Sequence, residues 1–153
     1  MNTPLNGLIN WSERVACHFD WFAPLLARFA VGWVFLWSGW GKLTHLPKVT
    51  ENFVRWGIPY PEILTPFVSG VELVGGALLL LGLFTRFAAV PLAIVMIVAI
   101  RTALWGDVDS LGSLLGLEEF LYLVIFLWLA IAGPGVVALD HLLQRSKTPK
   151  RRS

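Results

Sequence analysis

Residues 63–85 read ILTPFVSGVELVGGALLLLGLFT, an apolar stretch whose only charged residue is Glu72. A helix of roughly 20 mostly apolar residues is long enough to cross the hydrocarbon core of a bilayer. Glu72 lies about ten positions from either end of the stretch, which places its carboxyl group near the bilayer midplane. The stretch therefore predicts a membrane-spanning helix that carries an ionisable group inside the membrane.

Three further stretches have a similar length and apolar character, namely 24–43, 87–105 and 120–139. The connection 83–86 is so short that the second and third helices must form an antiparallel hairpin. A chain of 153 residues that is 56% hydrophobic and only 14% charged has too few polar residues to cover the surface of a soluble domain. We therefore predict an all-α integral membrane protein, a bundle of four transmembrane helices.

Two segments outside these stretches are amphipathic and predict helices that lie on the membrane surface. The stronger one is 46–56, where apolar residues recur at helical spacing between charged ones, and the weaker one is 5–19. The chain then divides into an N-terminal interfacial segment (1–23), the four-helix domain (24–140) and a basic tail (141–153).

The distribution of lysine and arginine predicts the orientation. Eight lie near one side of the membrane: Arg14, Arg28, Arg86, Arg145, Lys147, Lys150, Arg151 and Arg152. Four lie near the other: Lys42, Lys48, Arg55 and Arg101. Because the cytoplasmic side carries the excess of basic residues, both termini are predicted to be cytoplasmic.

The rare cysteine and histidine residues exclude several kinds of redox centre. Cys17 is the only cysteine, so the chain has no intramolecular disulfide and no Cys-x-x-Cys pair. The histidines lie on both sides of the membrane, which does not suit a bis-histidine haem, and no metal-ligand spacing is present. The basic tail is typical of a membrane-flanking segment. We expect no intrinsic cofactor, no metal site and no nucleic-acid partner.

Glu72 is the most informative candidate site residue. A carboxylate at the bilayer midplane is costly unless it is paired, hydrogen-bonded or protonated. Its helical neighbours Ser69 and Gly76 are small, which favours close helix packing and a side chain that faces protein. Two interpretations stay open: a proton or ligand group, or an interhelical ion pair or hydrogen bond. Arg28 either reaches toward Glu72 or snorkels to the head groups.

A second candidate site lies at the predicted outer surface, where the ends of the first, third and fourth helices converge. Two cations, two carboxylates and three aromatic residues belong to it: Lys42, Arg101, Glu118, Glu119, Trp40, Trp105 and Tyr122. Such a group predicts a pocket for a quinone head, a small oxyanion or a loop of a partner. The alternative is an ordinary aromatic belt with interfacial charges.

Several motifs, in order along residues 25 to 140, resemble the DoxX family of small four-helix membrane proteins. They are LLARF at 25–29 continuing to WGKL at 40–43, GIP at 57–59, GVELVGG at 70–76, GLFTR at 82–86, and GPG at 133–135 with Asp140. The resemblance marks Arg28, Lys42, Glu72 and Arg86 as the positions of interest.

This resemblance implies a multi-pass protein of the bacterial inner membrane. The function that it implies first is an accessory or anchoring subunit of a membrane redox or oxidative-stress complex, with a protein partner or further copies of itself. Alternatives are a quinone-binding oxidoreductase subunit, in which Glu72 donates or accepts a proton, and a small transporter or chaperone. The sequence contains no self-contained catalytic motif, so whether the chain is an enzyme stays open.

Overall fold

The computed structural model describes residues 21–135 together with Cys17, Phe19, Ala138 and Leu139. Its helices, in chain order, are α1 (Phe22–Thr44), α2 (Leu46–Arg55), α3 (Pro61–Leu81), α4 (Thr85–Ala99), α5 (Leu111–Leu115) and α6 (Glu118–Ala132). These described residues contain no strand, which confirms the all-α prediction. The predicted helix at 5–19 and the basic tail fall almost wholly outside the described residues.

Three helices are long and apolar enough to cross a membrane: Phe22–Thr44, Pro61–Leu81 and Thr85–Asp107. They correspond to the first three predicted spans. The third is α4 continued by a π-helical turn, Ile100–Leu104, and a 3-10 turn, Trp105–Asp107.

The fourth predicted span differs from the helix found there. The sequence predicted 120–139, whereas α6 begins at Glu118 and ends at Ala132, after 15 residues. The reason is local, because Gly133 takes a φ of +86° and Pro134 has no backbone N–H with which to continue the helix. A helix of this length is about 22 Å long. The count of four spans stays a prediction.

The connection between α3 and α4 is a tight turn. Gly82 and Phe84, with φ of +66° and +48°, adopt left-handed conformations between α3 and α4, which confirms the predicted tight hairpin. Arg86, next to this turn, donates a hydrogen bond from Nη2 to the carbonyl oxygen of Ala132 at 3.4 Å. A guanidinium thus binds a free carbonyl at the C-terminal end of α6, where the helix dipole favours a cation.

Two shorter helices lie in the connections. The amphipathic segment 46–56 forms α2, as predicted, and buries Phe53. The helix α5 was not predicted from the sequence. It is nucleated by a capping box in which Ser110 accepts from the backbone N–H of Ser113 and Ser113 accepts from the backbone N–H of Ser110.

The bundle is built from two helix pairs, α1 against α3 and α4 against α6, which the α3–α4 hairpin joins. The first pair approaches through glycines. A Cβ at Gly39 would overlap the backbone of Leu73, and one at Gly76 would overlap the backbone of Leu36. Small residues let helix backbones meet in this way inside a membrane.

The apolar core lies between the two pairs. Phe35 of α1 meets Phe126 of α6 edge to face, with ring centroids 4.9 Å apart. Leu92 of α4 fills the space beside Gly75 of α3, where a Cβ would lie 2.9 Å from its Cδ1 atom. Aromatic pairs of this geometry contribute beyond the area that they bury. The core fixes α1 against three other helices.

We predict that Gly39→Ala destabilises the protein whereas Gly41→Ala does not. A methyl group at Gly39 forces α1 away from α3, and overpacking of this kind costs about 1–3 kcal/mol. A Cβ at Gly41 meets nothing within 4 Å, so its replacement gains helix propensity without a clash. Thermal unfolding in mild detergent measures both. Equal melting temperatures for the two variants would contradict the close contact.

Candidate functional site

Glu72 faces the interior of the bundle. It lies twelfth among the 21 residues of α3, and its side chain is only 1% exposed. Ser69 and Thr65 lie on the same face of the helix, one and two turns before Glu72 respectively, and both are fully buried. The expectation that Glu72 faces protein is confirmed. The face is a polar stripe within an otherwise apolar helix.

Lys42 of α1 neutralises this carboxylate. Its Nζ donates to both oxygens of Glu72, at 2.6 Å to Oε1 and 2.7 Å to Oε2. The hydroxyl of Ser38, one turn earlier on α1, donates to Oε2 at 3.0 Å. Charge-assisted hydrogen bonds of this length are among the strongest in proteins. The carboxylate is therefore held by one ammonium and one hydroxyl group, all from α1.

The two members of the ion pair differ in their exposure. The Lys42 side chain is 33% exposed, whereas Glu72 is buried. Lys42 lies two residues from the last residue of α1, so its flexible stem carries the charge from the helix end toward the middle of α3. We call the end of the bundle that contains His45 the His45 end; it is the predicted outer one. The pair is reached from this end, through the lysine.

Arg28 takes neither of the two positions expected from the sequence, which were beside Glu72 or extended to the head groups. It lies 14 residues before Lys42, about 21 Å away along the helix axis, so it approaches the opposite end of the bundle. Its side chain is 2% exposed, which does not fit a guanidinium that snorkels to the head groups. It packs against Gly82, where a Cβ would overlap its Nη1 atom. The partner of Glu72 is thus the other cation of α1.

Among the charges grouped at the predicted outer surface, Lys42 binds Glu72. Among the described residues, Lys42 forms no salt bridge with Glu118 or Glu119. Arg101 is exposed, and its guanidinium carbon lies 5.1 Å from the ring centroid of Trp105. Among the described residues, no salt bridge joins Arg101 to either carboxylate. Arg101 belongs to the π-helical turn, which holds an extra residue and changes the register of the side chains that follow.

The aromatic residues of that predicted pocket are also dispersed. Tyr122 is half-buried and packs edge to face on Phe35, with centroids 5.3 Å apart, so it belongs to the bundle core. Trp40 and Trp105 are both exposed. That these residues share a ligand or partner pocket at the His45 end stays a prediction.

Sequence reasoning missed two polar residues of the site, Ser38 and Thr65. Ser38 precedes Lys42 by four positions and therefore lies on the same face of α1, which was the available signal. Thr65 precedes Glu72 by seven. Its hydroxyl is fully buried and has no hydrogen-bond partner in the described part of the chain, while its carbonyl oxygen accepts from Ser69 Oγ at 2.7 Å. An unsatisfied buried hydroxyl is uncommon and calls for an explanation.

The described residues do not contain a group of three His, Cys, Asp or Glu side chains that are close enough to hold a metal ion. What the site offers chemically is one carboxylate, one ammonium and the hydroxyls of Ser38, Ser69 and Thr65. These groups can exchange a proton or bind a polar head group.

We predict that Lys42 and Glu72 are energetically coupled. Lys42→Met leaves a buried carboxylate without its cation, which costs roughly 3–5 kcal/mol for a buried pair. Glu72→Leu costs less, because the freed lysine can move toward the head groups. The double variant restores a neutral site, so its loss should be smaller than the sum. A double-mutant cycle read by unfolding in detergent should give a coupling above about 1 kcal/mol.

The matched control is a cycle on Lys42 and Glu119, the pair that the sequence analysis had grouped. Glu119 makes no ion pair with Lys42 in the structure, so these losses should add. Glu72→Gln serves as the conservative variant, since an amide oxygen still accepts from Ser38. Additive losses for Lys42 and Glu72 would show that their contact does not contribute to stability.

Comparisons with known proteins agree on one family. The DoxX family model matches residues 23–105. An uncharacterized membrane protein of Mycobacterium tuberculosis is 36% identical over 79% of this chain and 81% of its own. The Escherichia coli inner membrane protein YqjF is 29% identical over 79% of this chain and 92% of its own.

A third relative, from Bacillus subtilis, carries the name "Putative oxidoreductase CatD" and is 30% identical over 80% of this chain and 88% of its own. No solved structure matches the chain significantly. The matched region includes Lys42 and Glu72, so the ion pair lies within the part of the chain that the family model covers. The chain is a membrane protein of the DoxX family.

Proposed function

We propose that the chain is an accessory, anchoring subunit of a membrane redox or oxidative-stress complex, and that α1 is the helix that binds the partner. The observation that carries the proposal is an exposed row of stacked aromatic rings on α1, formed by Phe29, Trp33 and Trp37. We call it the aromatic ladder.

The rings of the ladder are ordered by one another and lie outside the bundle. Phe29 and Trp33 stack with centroids 6.5 Å apart and ring planes 15° apart. Trp33 and Trp37 stack at 6.4 Å and 5°. Trp33 is 55% and Trp37 67% exposed, so much of the surface of both rings lies outside the bundle. The result is a continuous aromatic strip along two turns of the helix.

The depth of the ladder favours a protein partner over lipid. Tryptophan prefers the membrane interface, where the indole N–H finds water or head groups. Trp33 is the twelfth of the 23 residues of α1, which places it in the middle of the helix. At that depth only another polypeptide supplies an acceptor for the indole N–H. Aromatic side chains are also enriched in protein interfaces.

The names of two relatives support a redox complex in a membrane. One is named "Putative oxidoreductase CatD" and the other is named an inner membrane protein. The partner itself would supply the catalytic centre, and this chain would hold it at the membrane through α1.

We predict that replacing Trp33 and Trp37 together with leucine abolishes partner retention without unfolding the chain. Both rings are exposed, so their loss removes contact area from the partner and little from the bundle core. Quantitative mass spectrometry of proteins that co-purify in mild detergent measures the effect. We expect at least a tenfold loss, since each hot-spot aromatic contributes about 2 kcal/mol or more.

The matched control is Trp128→Leu, an exposed tryptophan on α6. This variant should retain the partner. Equal recovery of every partner in the ladder variant would reject α1 as the docking helix. Solute flux in liposomes without a stable partner would favour the transporter alternative.

A quinone-binding subunit of an oxidoreductase is the second candidate, and the Lys42–Glu72 pair favours it. Proton-coupled reduction of a quinone needs a group that donates or accepts a proton at the head group, and a carboxylate held by a reachable ammonium meets that need. In this case Glu72 would exchange the proton and Lys42 would bind the head-group oxygen. A stoichiometric quinone in the isolated chain would support this candidate.

We also propose that α6 completes a fourth crossing and that both termini are cytoplasmic, in a bacterial inner membrane. The supporting observations are the eight-to-four distribution of basic residues and the contact of Arg86 with the end of α6, which places the end of α6 at the α3–α4 hairpin.

We predict that reporter fusions at Gln144 and Asp109 report opposite compartments, with Gln144 cytoplasmic. A pair of reporters active in cytoplasm and periplasm, respectively, measures this. A fusion at Arg86 is the control and should match Gln144. Matching signals from Gln144 and Asp109 would reject the fourth crossing.

A further inference from the structure

The Lys42–Glu72 pair is a closed site with one movable member. Glu72 is buried and fixed to α3, and Ser38 holds its Oε2 atom at 3.0 Å. Oε1 has the Lys42 ammonium as its hydrogen-bond partner among the described residues. Lys42 is a third exposed and has a flexible stem, so movement of Lys42 uncovers Oε1 toward the His45 end.

Charge neutrality limits what can take the place of the ammonium. If Lys42 leaves for a neutral ligand, the buried carboxylate stays without a counter-charge, which is costly inside a membrane. An anion that brings no proton gives the site one net negative charge, and a metal cation that enters while Lys42 remains gives it a net positive charge. A weak acid avoids each of these outcomes, because it brings both a proton and an anion.

We propose that Lys42 and Glu72 form a receptor site for a weak acid that enters from the His45 end. In the exchange, the bond between the acid and its proton breaks, and the proton binds Oε1 of Glu72. The resulting anion pairs with the Lys42 ammonium. The site is neutral before and after, no electron is transferred, and Ser38 continues to donate to Oε2.

A second observation points to a ligand or its hydration at the same face. The Thr65 hydroxyl is fully buried and has no hydrogen-bond partner in the described structure. It lies seven residues before Glu72, about 10 Å toward the His45 end. An occupant of the site, or a water that enters with it, would supply the missing partner.

Among the described residues, Lys42 and Glu72 form a salt bridge with each other and with no other charged group. His45 Nδ1 lies 3.0 Å from the carbonyl oxygen of Gly41. Among the described residues, Glu118 and Glu119 on α6 and Lys48 on α2 form no salt bridge with either member of the pair.

The inference deepens the second candidate function, because a quinol is one weak acid, but it requires neither a quinone nor a partner. The probe is 4-nitrophenol, a weak acid whose anion is coloured, added to the full chain in nanodiscs. At a pH where the free phenol is uncharged, the native protein should produce the absorption band of the phenolate. Empty nanodiscs should not.

The variants separate the two roles. Lys42→Met should lose the phenolate band, whereas Lys48→Met, an exposed lysine of α2, should keep it. Glu72→Gln keeps the hydrogen bond from Ser38 but has no base for the proton, so the phenolate must form by releasing it to solvent. At pH values below the pKa of the phenol, the apparent affinity of this variant for the phenol should increase about tenfold for each unit by which the pH is raised. The affinity of the native protein should stay nearly constant over the same range.

Absence of the phenolate band with the native protein would overturn the proposal, and so would a flat pH profile for Glu72→Gln. These readouts remain decisive if Lys42→Met does not fold. The phenolate band in a chain that retains no quinone would support this inference and reject the quinone candidate. If the ladder variant loses its partner but keeps the phenolate band, partner binding and acid binding at the Lys42–Glu72 site are independent.

Discussion

The backbone contact between α1 and α3 is the constraint on which the rest of the structure depends. Gly39 and Gly76 leave no room for a side chain, so the two helices touch along their length. This contact places Ser38 and Lys42 beside Glu72. The glycines therefore set the helix separation across which Lys42 and Ser38 meet Glu72.

The ion pair and the glycines at the contact between α1 and α3 have opposite effects on stability. Close packing of small residues stabilises helices in a membrane, whereas a buried pair is costly relative to apolar residues of the same shape. A chain that needed only a stable bundle would gain from leucine and methionine at these two positions. The proposed receptor site would account for a pair that a stable bundle does not require.

The sequence predicted those features that depend on local pattern. The three long spans follow from hydropathy, and the hairpin follows from a connection too short for any other arrangement. The prediction that Glu72 faces protein follows from the small residues at helical spacing around it. The partner of Glu72 did not follow, because Arg28 and Lys42 lie within about 40° of the same face of α1 and spacing alone does not choose between them. The choice depends on side-chain reach and helix offset, which are tertiary properties.

Other differences have equally specific causes. Arg101 lies in a π-helical turn, which changes the register of the side chains at the end of the third span. The helix α6 ends at Ala132 because Gly133 and Pro134 stop it. The capping box that begins α5 uses two serines in place of the usual serine and glutamate, so the familiar signature was absent. Each of these features is decided by backbone geometry and not by hydrophobic pattern.

The two faces of α1 connect the proposed partner surface to the polar site. Trp37 and Ser38 are adjacent in sequence, yet the first faces outward in the ladder and the second donates to Glu72 inside the bundle. Because α1 is locked against α3 at Gly39, a partner that binds the ladder cannot slide the helix freely. It must either leave the Lys42–Glu72 distances unchanged or separate the two backbones, which would weaken both hydrogen bonds of the ammonium. A single helix, packed against α3 at Gly39, therefore holds the proposed partner surface and the ion pair in fixed register.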